Sequence, residues 1–243
     1  MAPEHLHIAY LPSTGYVHPI LNALRESSAP EAAAAIHGWT SAGVGQLAVA
    51  LSTKLVLLSI AQRRLGQALS VLRSAAMRAP DALLGIEEGK SVMLADRDLV
   101  YETLVDLDSF VFEFRSGYEI LGKFVIGMYR LLGKKAPSES DLQSLLESRG
   151  IPTAWIGVLR ERRIVHFHST PPWIVFEVLS KAPLELTEIV TAGPSMRPED
   201  IASGLPLKGL VDIHEGMARA LQALQDRMIE EVRALRADPE RSA

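Results

Sequence analysis

A chain of 243 residues, 48% of them hydrophobic, can bury a sizeable core in one large domain or two small ones. Its formal charge of −4 and pI of about 6.0 exclude a nucleic-acid footprint spread over the whole surface, while leaving room for a local basic cleft. The absence of cysteine excludes disulfides, thiolate catalysis and cysteine-bound zinc or iron–sulfur clusters.

The opening stretch, MAPEHLHIAYLPSTGY, has no basic segment leading into an apolar core, so it does not read as a secretory signal. Residues 1–40 read as an N-terminal extension with short helices in HPILNALRES and PEAAAAIHG. His5 and His7 are read as a solvated end rather than as metal ligands. Thr40 or Ser41 can cap the next helix. There Leu47, Leu51, Leu55, Leu58, Leu65, Leu69 and Leu72 follow at steps of three, four and seven, which predicts a long amphipathic helix over 43–78. Gly66 either weakens it or lets another helix come close. Its most apolar run, Val44 to Ala61, carries Gln46 and Lys54 and reads as a buried helix rather than a membrane span. A cytoplasmic protein without a membrane partner is the expectation.

Beyond the turn-forming APDALLGIEEGKS, residues 96–133 hold the cleanest period. Val100, Leu104, Leu107, Val111, Phe114, Tyr118, Leu121, Val125, Met128 and Leu132 alternate steps of four and three, with Asp96 as cap and Gly133 as stop. Beside that stripe runs a polar one: Glu102, Asp106, Ser109, Glu113 and Ser116. It reads either as a solvated face or as the source of a carboxylate, from Glu113 or Asp106, that orients a basic segment.

Ser140 with Gln143 reads as a capping box for a short helix that leaves through Gly150. Then comes IPTAWIGVLRERRIVHFHSTPPW, residues 151–173. Pro152 suits a first turn, Ile151, Trp155, Val158, Leu159 and Val165 recur at helical spacing, and Pro171-Pro172 end the helix. Between them stand Arg160, Arg162 and Arg163 with His166 and His168. Histidine exchanges a proton near neutral pH, and arginine is a fixed cation shaped for phosphate.

WIVFEVL and LELTEIV flank SKAP and predict a short β-hairpin near 173–190. A connector leads to a last helix over about 206–236, whose apolar face is Leu210, Ile213, Met217, Leu221, Leu224, Met228, Val232 and Leu235. Residues 237–243 read as a disordered tail. The predicted class is all-α, a helical bundle of four or more long helices with that hairpin inserted. The sequence has no internal repeat, no glycine-rich phosphate loop, no HExxH and no GxSxG.

LRERRIVHFH resembles the signature of the HEPN family, all-α bundles in which an arginine is followed, after four to six residues, by a histidine. Five residues separate Arg160 from His166, polar Glu161 follows the arginine, and Arg162 and Arg163 each stand at the same kind of spacing from His168. The resemblance implies an HEPN-like bundle over 41–236 and metal-independent, cofactor-free cleavage of RNA by the ribose 2′-hydroxyl. His166 would be the general base or acid, with His168 the second candidate. Arg160, the choice the resemblance favours, would stabilise the phosphate, with Arg162 as its rival on helical geometry, and Glu113 or Asp106 of the acidic stripe would orient the set. It further implies RNA as substrate, a homodimer and, in a toxin, an antitoxin protein as partner. Some members of the family are binding domains without activity, and an unrelated helical interaction protein is the other alternative.

Helical geometry bears on the choice of arginine. At about 100° per residue, Arg162 and His166 share a face of a straight helix and Arg160 lies about 120° away. A helix that loosens before the double proline would bring Arg160 closer. The apolar residues Trp155, Val158 and Phe167 place the expected dimer contact on this same segment. An H-x-H pair needs a third ligand to hold a metal, and none is recognisable, so no metal is expected.

Overall fold

The structure is a computed structural model and describes residues 15–78, 91–92, 96–166, 173–181, 184–191 and 205–235; of 161–166 it describes the helix alone. His5, His7, Phe167, His168, Pro171-Pro172 and the 237–243 tail lie outside the described residues. The chain is mostly helical. In order come α1 (His18–Glu26), α2 (Pro30–Ser41), α3 (Val44–Arg78), β1 (Ser91–Val92), α4 (Arg97–Leu131), α5 (Glu139–Ser148), α6 (Ala154–His166), β2 (Trp173–Lys181), β3 (Leu184–Thr191), β4 (Leu205–Pro206) and α7 (Leu207–Ala234). Three helices are long, at 35, 35 and 28 residues. The arginine–histidine helix α6 has 13.

Several helix ends differ from the sequence expectation. Helix α2 runs on to Ser41, whose hydroxyl bonds the Gly38 carbonyl at 3.3 Å, so neither Thr40 nor Ser41 caps α3. The capping box of α5 is Ser138 with Asp141, two residues before Ser140 and Gln143. Ser138 is the residue with extended backbone, as a cap requires, and its side chain accepts from the Asp141 amide while Asp141 accepts from the Ser138 amide. Helix α6 opens at Ala154, two residues after Pro152. Asp96 caps α4, accepting from the Leu99 amide at 3.1 Å. Gly133 and Gly150 leave α4 and α5 at φ of +68° and +71°, where any side chain would be strained.

The described chain divides into two compact units that interleave in sequence. One takes Ile60–Phe114 and Trp155–His214; the other takes the residues up to Ser59, Arg115–Ala154 and those from Glu215 onward. Each of the three long helices contributes residues to both, α7 giving the first unit only its opening stretch up to His214.

In the first unit, α3 and α4 run antiparallel, joined by an Arg64–Asp106 ion pair at 2.8 Å. A four-stranded antiparallel sheet in the order β1-β2-β3-β4 belongs to this unit. Strands β2 and β3 pair from Trp173↔Thr191 to Lys181↔Leu184, with an irregularity between Val178 and Ser180. Ile174, Phe176 and Val178 alternate onto one face of β2, where they form a core with Leu72, Ala76 and Val100. Two-residue strands close both edges of the sheet.

In the second unit, Gly117 of α4 lets Leu58 of α3 and Met217 of α7 close in: a Cβ there would stand 3.0 Å and 3.5 Å from their methyl groups. Tyr16 is fully buried with its ring edge-on to Phe124, and Trp39 meets the same phenylalanine. At the far end of α4, the buried carboxylate of Glu231 receives Lys134, Arg227 and the Tyr129 hydroxyl, the last at 3.2 Å. This cluster fastens α7 to the exit of α4.

Candidate functional site

Helix α6 carries the site in the first unit. Its described side chains set its orientation. Trp155, Ile156 and Leu159 are buried, and Arg160 is exposed. The helix stays regular to His166, its last residue, so Arg162 and His166 are one turn apart along it, while the Arg160 side chain is exposed. His168 lies beyond the end of α6, outside the described residues.

The acidic stripe of α4 divides. Glu102 is exposed, and Asp106 is held by Arg64 of α3. Glu113 is half-buried, one residue before the fully buried Phe114. Of the two acids considered for orienting α6, Asp106 braces α3 against α4.

The unit also buries polar side chains that sequence reasoning passed over. His214 of α7 is 3% exposed and lies edge-on to the Phe114 ring, with centroids 6.1 Å apart. Gln62 of α3 is fully buried, and neither its amide nitrogen nor its oxygen has a hydrogen-bond partner among the described residues. Thr103 is fully buried and satisfies its hydroxyl on the Leu99 carbonyl at 2.8 Å. A signal for two of them was available. Gln62 falls between Leu58, Leu65 and Leu69, and His214 between Leu210, Met217 and Leu221, at the same steps of three and four as the apolar residues around them. A polar residue inside an apolar stripe is the pattern that a list of apolar residues alone overlooks.

No group of three or more histidine, aspartate or glutamate side chains that could hold a metal ion occurs among the described residues. The first unit holds an exposed cation on α6, a half-buried carboxylate on α4 and buried polar side chains on α3, α4 and α7. Helix α3 is also, by length and composition, the one described helix apolar enough to cross a membrane, although its Leu51, Leu55, Leu58, Leu65, Leu69 and Leu72 are buried in the protein. No family model matches the chain, no curated protein matches it, and no solved structure matches it.

Proposed function

We propose that this chain is an HEPN-like, metal-independent endoribonuclease whose working pair is Arg162 and His166. The observation that carries this reading is the unbroken course of α6 to His166, which puts the two residues one turn apart. A histidine so placed can take the proton of a ribose 2′-hydroxyl and return one to the leaving 5′-oxygen. Attack of that hydroxyl on the adjacent phosphorus forms a 2′,3′-cyclic phosphate as the bond to the 5′-oxygen breaks. The arginine one turn away holds the phosphate and meets the charge that gathers on its free oxygens. Glu113 orients the pair, and the surrounding helices form the bundle, with β2 and β3 inserted into it, that such a site requires. Toxin of a two-component system, with a protein antitoxin as its partner, is the setting we assign to such an enzyme.

The test is purified protein incubated with a mixed-sequence RNA in EDTA. The expected products carry cyclic phosphates, and His166→Ala lowers the rate by about 10²–10⁴-fold with the melting temperature kept. A wild type that leaves every RNA intact contradicts the reading. So does cleavage that EDTA abolishes and one divalent ion restores. A second reading, an RNA- or protein-binding module without cleavage, is favoured by one observation: Asp106, an acid positioned in sequence to orient α6, is engaged by Arg64 instead.

A further inference from the structure

Helix α6 presents little of the apolar surface that its sequence places there, since Trp155 is buried and Val158 half-buried. Helix α3 presents more. One of its faces carries the buried leucines, among them Leu51, Leu55 and Leu58. The opposite face is exposed, and Val49, Thr53, Val56, Ile60 and Arg63 follow along it at steps of three and four. Val49 is 68% exposed, Val56 40%, and Ile60 and the adjacent Leu57 37% each. In the most apolar 18-residue window of α3 only 33% of the residues are buried, less than a helix enclosed by its own protein would show.

Three features say what covers this face. The first is its hydrogen bonding. Between Val49 and Ile60 the one exposed polar side chain is Thr53, and its hydroxyl already donates to the Val49 carbonyl at 3.0 Å. A hydroxyl bonded within its own helix leaves water at little cost. The second is charge. The 35 residues of α3 include no aspartate or glutamate, in a chain that has 29. Arg64 is held by Asp106, while Arg63 and Arg78 stand exposed at the end of the same face. An anionic surface is attracted by such a helix. On α4, by contrast, the exposed Tyr101 and Val105 have the exposed acids Asp98 and Glu102 beside them, which the same surface would repel. The third is shape. The stretch from Val49 to Ile60 is aliphatic, without the aromatic anchors around which protein interfaces are built. A helix that keeps its leucine face in the protein and offers an aliphatic face with arginines at one end lies in the plane of a bilayer surface and does not span it.

We infer that the exposed face of α3 is a docking surface for an anionic lipid bilayer, with Val49, Val56, Leu57 and Ile60 entering the headgroup boundary and Arg63 meeting lipid phosphate. The inference does not depend on RNA cleavage, and it departs from the expectation of a chain without a membrane partner. The experiment is co-sedimentation of the full chain with vesicles of phosphatidylcholine alone and of equal parts phosphatidylcholine and phosphatidylglycerol, in low and high salt. Val49→Glu, Val56→Glu and Arg63→Glu run beside the wild type. All three positions are exposed, and thermal unfolding checks that each variant still folds. The expected result is a wild type that sediments with the phosphatidylglycerol vesicles, less so in high salt because the attraction is screened. Each variant should lower its partition onto them by about 10-fold or more. A wild type that stays in the supernatant with both vesicles overturns the inference, as does binding that neither Val49→Glu nor Val56→Glu reduces. A wild type that ignores vesicles but self-associates, and loses that association in both valine variants, would assign the face to protein and overturn it equally.

Discussion

Gln62 is fully buried, with both ends of its amide unbonded among the described residues. A buried polar group left without a partner costs about 1–3 kcal/mol, so Gln62→Leu, which removes both, should raise stability by an amount of that order. Chemical denaturation of the two proteins measures it; a less stable leucine variant would mean that the amide has a bonded partner in solution. Glu231 is the opposite case, a buried carboxylate with three donors. Burial pushes its carboxyl up, and the hydrogen bond and charge of Lys134, the charge of Arg227 and the Tyr129 hydroxyl outweigh this and hold it below its ordinary range. A carboxyl lowered by folding stabilises the fold above its unfolded value and loses that contribution as pH falls through the folded value. Wild type should therefore exceed Glu231→Gln in stability by about 1–3 kcal/mol at pH 7, and the gap should close below about pH 4. A gap that stays constant from pH 7 to pH 3 would show that shape, not charge, holds the cluster together.

At the scale of elements, the glycines of the long helices separate by what surrounds them. A Cβ at Gly66 of α3 would meet nothing among the described residues within 4 Å, whereas one at Gly117 of α4 would meet the Leu58 methyl at 3.0 Å. Alanine in a helix interior is favoured over glycine by about 0.5–1 kcal/mol, so Gly66→Ala should raise the melting temperature by about 1–4 °C. Gly117→Ala should gain less or lose outright, and equal gains at both would contradict the packing described here. The three long helices were legible because Leu, Val and Ile recur in them over many turns, long enough for the period to dominate chance. Their ends were less legible, because Ser138, Ser140 and Ser41 are chemically alike and only backbone conformation decides which one caps. Strands β1 and β4 have two residues each, too few for any alternation to show. Their existence depends on the edges of β2 and β3, a tertiary fact.

Across the molecule, sequence proximity gathered Arg160, Arg162 and His166, but the resemblance favoured Arg160 while straight-helix geometry favoured Arg162, since the pairing depends on whether α6 stays regular up to the double proline. It also could not foresee that Asp106 is drawn to Arg64, a pairing between helices whose register the sequence leaves open. The account's central claim is that Arg162 and His166 work as one pair. RNA cleavage by Arg160→Ala, Arg162→Ala and wild type, measured side by side with the thermal unfolding of each, tests this most directly. Loss of the phosphate-stabilising arginine should cost on the order of 10²-fold or more. The account predicts that loss for Arg162→Ala and near wild-type cleavage for Arg160→Ala, with all three proteins folded. Full activity in Arg162→Ala, or its loss in Arg160→Ala alone, would contradict it.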